Sequence, residues 1–171
     1  MLTYHLAMTA AIAAGKPASA SRVEVNHLVM PGDANGHGTA FGGVIMQWTD
    51  LAAGMSAMRH TRLPVVTAAI DQLSFLAPVR IGHQVQLVAQ VNAVFATSLE
   101  VGVEVVAEDT LTGERQKCCD AYLTFVALGP DGTPPPPPPV LTETDDERRR
   151  EREAQLRREA RRRLRLALRS P

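Results

Sequence analysis

An aspartate in the middle of an almost wholly apolar helix is the first feature of this sequence that could do chemistry. The stretch GGVIMQWTDLAAGMSAMRH predicts a helix from about Phe41 to Thr61, and Asp50 lies within it. An unpaired carboxylate is costly to bury, whereas one that faces a cleft from dry surroundings can serve as a general base or nucleophile. The structural alternative is that backbone amides, Arg59 or His60 satisfy the Asp50 side chain.

Two glycines at the start of the same helix could stabilise negative charge. Gly42 and Gly43 fall in the first turn, where amides are unpaired and the helix dipole is positive. Without side chains, these amides can approach a ligand oxygen and form an oxyanion hole; the alternative is that the glycines allow close packing on a sheet. Gly42 and Asp50 are eight residues apart, which is about 12 Å along a helix. If both groups are catalytic, we expect the site to combine two subunits.

The segments around this helix alternate apolar and polar residues, as strands with one buried face do. One strand precedes the helix and four follow it. We therefore predict an α+β fold, in which a curled antiparallel sheet wraps around a central, buried helix and a helical extension follows at the C-terminus. The predicted strands cover residues 22–30, 64–79, 82–95, 98–109 and 115–128.

Composition divides the chain into four parts. We predict a flexible leader at residues 1–20, a core domain at 21–130, a stiff spacer with six consecutive prolines at 131–141, and an Arg-rich helical tail at 142–171. Thr144 and the acids that follow it are typical of a helix start. The apolar positions in the tail are sparse, which leaves open a solvated helix or one that contacts a neighbouring subunit or RNA.

Charge and cysteine content narrow the functional classes. The chain has 18 Lys+Arg and 18 Asp+Glu, but 11 of the basic residues are arginines in the tail. The remainder is acidic and shows no basic patch typical of nucleic-acid binding. No apolar run approaches the roughly 20 residues that span a bilayer. Cys118 and Cys119 are adjacent on a predicted strand, which disfavours a disulfide between them and suits a reducing, cytoplasmic setting.

Several segments, in order, resemble the hotdog-fold acyl-CoA thioesterases, particularly the bacterial broad-range enzymes and the brain-type acyl-CoA hydrolase. The resemblance covers about Arg22 to Leu128 and is carried by the segments VMPGDANGHGTAFGGVIMQWTDLAAGMSAMRH, VVTAAIDQLSFLAPVRIGHQVQLVAQV, TSLEVGVEV and AYLTFVAL. It implies a hotdog fold and hydrolysis of fatty acyl-CoA to free fatty acid and coenzyme A. It also implies homodimers, often assembled as a trimer of dimers into a hexamer.

The resemblance implies roles for individual residues. The family's catalytic aspartate falls on Asp50, and its catalytic asparagine falls on Asn35 in PGDAN. In the family these two meet across the interface between hotdog units, in agreement with the spacing along the helix. Asp50 would activate water or attack the thioester directly, and Asn35 would hold the water or the carbonyl oxygen. The amides of Gly42 and Gly43 would stabilise the oxyanion.

Substrate contacts outside this centre are less strongly indicated. The phosphates of CoA attract cations, and Arg59, Arg80 and Arg115 are candidates. The resemblance also implies that Ser98, in the pair Thr97–Ser98, contacts the pantetheine arm. His37 departs from the pattern of the relatives, and we interpret it as a spectator. We expect no metal and no separate cofactor, since coenzyme A is part of both substrate and product.

Two alternatives remain. An R-specific enoyl-CoA hydratase has the same fold and a related GD-x-N motif. However, that motif continues with proline, an aliphatic residue and histidine, whereas GDANGHG has no proline and places His37 two positions after Asn35. A non-catalytic acyl-CoA sensor would bind the thioester tightly without turnover, and the Arg-rich tail keeps this reading open.

Overall fold

The predicted strands form one antiparallel sheet of five strands, and the predicted helix lies against it. The structure is a computed structural model, which describes residues 15–168. Strand order in the sheet is β2-β4-β5-β6-β3, with β2 and β3 at its edges. The elements in chain order are β1 (Lys16–Pro17), a 3-10 turn (Ala18–Ser21), β2 (Val23–Leu28), a second 3-10 turn (Pro31–Asp33), α1 (Gly42–Thr61), β3 (Val65–Phe75), β4 (His83–Val94), β5 (Leu99–Asp109), β6 (Arg115–Ala127), β7 (Val140–Leu141) and α2 (Asp145–Ala167).

The core forms where α1 packs on one face of this sheet. Alternate strand residues supply the sheet side, with Val85, Leu87, Val101 and Val105 at most 1% exposed. Small residues of α1 (Ala52, Ala53 and Ala57) are fully buried and let the helix approach the strands closely. The predicted α+β class with a curled sheet around a long helix is therefore confirmed.

The expectation that α1 is buried on every side is wrong for a single chain. Leu51, Met55 and Met58 are between 39% and 54% exposed, because one sheet can cover only one side of a helix. On the neighbouring edge strand β3, Val66 and Ile70 are 46% and 44% exposed. These five residues, the α1–β3 apolar surface, form the kind of exposed patch that marks an interaction site.

The chain on either side of the hotdog core packs against it. The predicted leader lies mostly outside the described residues, but its last part forms β1, which pairs in parallel with β7 beyond the prolines. At the end of the proline run, the Pro138 carbonyl oxygen lies 2.8 Å from Nε2 of the buried His60, and the Pro139 carbonyl accepts a bond from the Lys16 amide. The proline segment therefore does not act only as a spacer.

The predicted C-terminal helix forms and is capped as expected. The Thr144 hydroxyl accepts a hydrogen bond from the Glu147 amide at 3.1 Å, and the Glu147 carboxylate accepts one from the Thr144 amide at 3.0 Å. This reciprocal pair is a capping box, which satisfies two amides that a helix start leaves free.

Ionic contacts attach α2 to the outer face of the sheet, opposite α1. The Arg157 guanidinium donates to the fully buried Glu100 carboxylate at 2.7 Å and lies 3.6 Å from the centre of the Tyr122 ring. One turn later, Arg161 pairs with Asp71 of β3. The interpretation of a wholly solvated tail is therefore wrong, because charged strand residues that look solvent-facing in the sequence are partners for these arginines.

Candidate active site

Asp50 lies halfway along α1 on the side that faces β3. Its Oδ1 accepts a 2.7 Å hydrogen bond from the Thr67 hydroxyl. The carboxylate is half-buried within one chain, so the fully dry surroundings expected from the sequence are absent. Neither Arg59 nor His60 pairs with it, and the structural alternative therefore rests on Thr67 alone. The second oxygen, Oδ2, has no hydrogen bond among residues 15–168.

Thr67 is the partner that sequence reasoning missed. Threonine is an ordinary strand residue, and nothing local to the chain reveals that β3 passes beside the middle of α1. The strand is also irregular here, since its register with β6 shifts between Thr67 and Ala69. Such bulges re-aim side chains and are frequent next to active sites. A hydroxyl at the irregular point of an otherwise apolar strand is the signal that was available.

Asn35 organises the loop that leads into α1. Its side-chain oxygen accepts a 2.9 Å hydrogen bond from the His37 amide, and its Nδ2 donates to the Thr39 hydroxyl at 3.0 Å. The Phe41 amide, just before the helix, donates to the Asp33 carbonyl at 2.8 Å. The loop is therefore fixed to the helix start, while the side chain of His37 is exposed. One N–H of the Asn35 carboxamide remains available to a ligand.

The first turn of α1 presents free amides. Phe41, the residue before the helix, provides no side-chain cap, and its carbonyl accepts from the amides of Val44 and Ile45. The amides of Gly42 and Gly43 have no hydrogen-bond partner within the described part of the chain. Added Cβ atoms would lie 3.3 Å from the Phe75 ring at Gly42 and 2.9 Å from the Phe41 ring at Gly43. Glycine thus keeps this end of the helix accessible.

A cavity opens beside these amides. Its volume is about 380 Å³, and its walls are mostly apolar. Because the helix start and the cavity adjoin, a ligand carbonyl near the Gly42 amide would have an apolar chain beside it. The lining residues are Thr39, Ala40, Gly42, Ile45, Phe75, Leu76, Ala77, Pro78 and Val79.

Each chain therefore carries two separate half-sites. The first half-site is Asn35 with the amides of Gly42 and Gly43, and the second half-site is Asp50 with Thr67. The rise from Gly42 to Asp50 is about 12 Å, and the Asn35 side chain makes its contacts within its own loop. The structure of one chain does not bring the two half-sites together.

The remaining candidate substrate-binding residues lie apart from both half-sites. Ser98 is half-exposed in the turn between β4 and β5, where its carbonyl accepts a 2.7 Å bond from the Phe95 amide. Arg59, in the last turn of α1, donates to the Arg22 carbonyl. Arg115 lies on the outer sheet face and pairs with Glu108 at 3.5 Å. None of these three contacts Asp50 or Asn35.

The two cysteines are free thiols and have no place in either half-site. Cys118 and Cys119 are at most 1% exposed. Burial raises the pKa of each thiol to about 11, so the nucleophilic thiolate is scarce near neutral pH. Among residues 15–168, no helix is long and apolar enough to cross a membrane, and no group of His, Cys, Asp or Glu is arranged to hold a metal ion.

Comparison with known proteins identifies the family. Residues 37–114 match the model of the thioesterase superfamily. The chain is 42% identical over 114 residues to an uncharacterized acyl-CoA thioester hydrolase of Bacillus subtilis, which covers 67% of this chain and 66% of that one. Mouse acyl-coenzyme A thioesterase 11 is 37% identical over 107 residues, or 63% of this chain. The match spans only 18% of the mouse protein, so this chain corresponds to a small part of it.

Solved structures extend the likeness over most of both chains. An apo-hexameric acyl-CoA thioesterase superposes with a TM-score of 0.86 at 38% identity, covering 90% of this chain and 98% of that one. An acyl-CoA hydrolase from Staphylococcus aureus, solved with butyryl-CoA, CoA and CoA disulfide, superposes with a TM-score of 0.83 at 37% identity, covering 89% and 93%.

The Staphylococcus aureus hydrolase has also been solved with an asparagine, an aspartate and a threonine each replaced by alanine. Along that chain the asparagine precedes the aspartate by 15 residues, and the threonine follows the aspartate by 17. Asn35, Asp50 and Thr67 have the same two separations. With this spacing, the matching fold and the two half-sites, the chain belongs to the hotdog-fold acyl-CoA thioesterase family.

Proposed function

We propose that this protein hydrolyses acyl-CoA thioesters to a free fatty acid and coenzyme A, at a site that joins the two half-sites of different subunits. The observation that carries the proposal is the hydrogen bond from Thr67 to Asp50. It ties a carboxylate at the family's catalytic position to a threonine, and the spacing of both with Asn35 recurs in a relative solved with butyryl-CoA.

Asp50 acts on water in this scheme. The Thr67 hydroxyl holds Oδ1 and fixes the plane of the carboxylate, which leaves Oδ2 to accept a proton from a water molecule as the water oxygen bonds to the thioester carbon. When the tetrahedral intermediate collapses, the carbon–sulfur bond breaks and the proton on Asp50 passes to the departing CoA sulfur. Direct attack by Asp50 would form a mixed anhydride with release of CoA, and water would then cleave the anhydride.

The other half-site stabilises the charge that develops on the carbonyl oxygen. Free amides at a helix start are fixed donors in the positive end of a dipole, so those of Gly42 and Gly43 need little reorganisation as the oxyanion forms. The free N–H of Asn35 provides a further donor for the carbonyl oxygen or the attacking water. The scheme uses protein groups, water and substrate, with coenzyme A as product rather than cofactor.

A second subunit completes the site. The α1–β3 apolar surface is open in a single chain and adjoins both half-sites. In a homodimer with twofold symmetry the same patch meets itself, so the start of one α1 can approach the middle of the other. A solved relative is hexameric, which supports a trimer of such dimers. The apolar surface argues for association independently of that relative.

A cytoplasmic setting fits the remaining features. Two buried free thiols that are adjacent in the sequence suit a reducing compartment. One relative is a cytosolic acyl coenzyme A thioester hydrolase of rat, at 33% identity.

The test is steady-state release of free thiol from acyl-CoA substrates ranging from acetyl to palmitoyl. We expect turnover with a chain-length optimum in the wild type, and a loss of at least about 100-fold in kcat for Asp50→Asn. The matched control is Asp145→Asn, since Asp145 is exposed at the start of α2 and should leave turnover unchanged. Tight binding of acyl-CoA without turnover by the wild type would contradict the proposal and favour a sensor.

A further inference from the structure

The hotdog core offers few free cations for the phosphates of CoA. The Arg22 guanidinium pairs with Glu24, and Arg59 donates to the Arg22 carbonyl. Arg115 binds Gln86 and Glu108, while Lys117 binds Glu104 and Asp120. Because α2 lies on the same domain, arginines outside the core are within reach of a ligand bound there.

A groove of about 510 Å³ lies between α2 and the turn that follows β4. Phe95 and Ala96 form the turn side, and Gln155, Arg158, Glu159 and Arg162 form the helix side. The helix residues are spaced i, i+3, i+4 and i+7, so they share one face of α2. Arg157 and Arg161 project from a different face, toward the sheet, where carboxylates neutralise them.

Arg158 is the prepared cation of this groove. Its guanidinium lies 4.3 Å from the centre of the Phe95 ring, which fixes its position by cation–π attraction without neutralising its charge. No carboxylate of residues 15–168 lies within ion-pair distance of Arg158. Arg162 is also in the groove, but Glu159 pairs with it at 3.4 Å and with Arg163 at 3.0 Å.

The groove lies at the same end of the sheet as the proposed catalytic carboxylate. Leu99, next to the β4–β5 turn, is in register with Phe125, which is in register with Thr67. Two strand spacings, or about 10 Å, therefore separate these positions across the sheet. Ser98 lies in the same turn as Phe95. The long pantetheine arm of CoA is the kind of link that joins a thioester to a distant phosphate group.

We propose that this groove binds the adenosine phosphate end of coenzyme A, with Arg158 as the principal phosphate ligand. The inference rests on the proposed acyl-CoA substrate. A phosphate pairs bidentately with a guanidinium, and the exposed face of a guanidinium is a surface on which a purine can stack. The Gln155 amide supplies a neutral donor, and a bound phosphate competes with Glu159 for Arg162. The α2 helix thus forms one wall of the substrate site.

The first test is a split in the kinetics of Arg158→Gln. Loss of one charge-assisted phosphate contact should raise KM for acyl-CoA by about tenfold, with kcat unchanged. The same acyl group on pantetheine, which lacks the nucleotide, should show no such rise. Arg165→Gln, on α2 but outside the groove, is the matched control and should retain the wild-type KM. A wild-type KM in Arg158→Gln would overturn the groove while leaving the thioesterase proposal intact.

The second test does not depend on turnover. Calorimetric titration with adenosine 3′,5′-bisphosphate should show binding to the full chain, and binding should weaken about tenfold in Arg158→Gln but not in Arg165→Gln. Arg158-dependent binding in a protein without hydrolase activity would support the groove and contradict the proposed reaction. Inorganic phosphate that binds as tightly as the bisphosphate would overturn the nucleotide assignment, since the groove would then bind simple anions.

Discussion

At the scale of single residues, the catalytic proposal depends on why an apolar helix contains Asp50. The sequence pattern identifies this carboxylate because every neighbouring position in its first turns is apolar. Its partner could not be predicted in the same way, since the 2.7 Å bond to Thr67 joins residues 17 positions apart on different elements. Local patterns identify a residue that is out of place, but only the tertiary structure shows which group it contacts.

Thr67 should position Asp50 rather than react. Replacing Thr67 by Val keeps the shape and removes the hydroxyl, so the carboxylate can rotate away from the attacking water. We expect kcat to fall about tenfold or more, the value of one hydrogen bond to a charged group, while KM for acyl-CoA stays close to that of the wild type. Thr67→Ser should restore most of the loss in the same thiol-release assay. A Thr67→Val enzyme with full kcat would show that the hydroxyl is only structural.

At the scale of elements, the start of α1 was predicted well because the signal is local. The pair Gly42 and Gly43 marks a helix start without side chains, and the structure leaves their amides free. The loop before it was less predictable. That Asn35 would bond to Thr39 and His37 follows from the turn geometry of GDANGHGT, which the residue types alone do not specify.

Adding one methyl group at the helix start should impair catalysis. In Gly42→Ala the new Cβ would lie 3.3 Å from the Phe75 ring and crowd the amide that faces the substrate carbonyl. We expect kcat to fall by roughly tenfold, less than the loss of a whole oxyanion donor. The control is Gly54→Ala in the same helix, where the nearest contact would be an ordinary 3.8 Å and helix propensity improves. Equal kcat values for these two variants would remove the oxyanion role from this turn.

The other helix shows where sequence reasoning failed. The capping box at Thr144 made α2 predictable as a helix, but its packing was not, because few of its residues are apolar. It binds the sheet through Glu100 and Asp71, which a strand pattern assigns to the solvent face. Burial of charged residues is visible only when both partners are placed.

Breaking the buried pair between α2 and the sheet should be costly. Arg157→Met leaves the fully buried Glu100 without its cation, and we expect about 3 kcal/mol lower free energy of unfolding, measured by urea denaturation at fixed protein concentration. The exposed pair of Arg163 with Glu159 is the control, and Arg163→Met should change nothing measurable. Adding Glu100→Met to Arg157→Met should recover much of the loss. No recovery would mean that the arginine contributes packing rather than charge compensation.

At the scale of the whole molecule, the spacing along α1 and the open α1–β3 apolar surface point to the same conclusion. The helical rise was predictable from the sequence and already separated Gly42 from Asp50. The exposed apolar surface was not, because the sequence suggested a helix covered on all sides. Together they require that each chain contribute half of two sites, so the unit of catalysis is the dimer.

The most direct measurement of this claim is the activity of hybrid dimers made from two inactive variants. Asp50→Asn and Asn35→Ala, co-expressed with different tags and purified as mixed dimers, should regain up to half of the wild-type thiol release, since one of the two sites in each hybrid is intact. Each variant alone should remain inactive while keeping the wild-type oligomeric mass. Verified mixed dimers without activity would contradict a site shared between subunits and confine catalysis to a single chain.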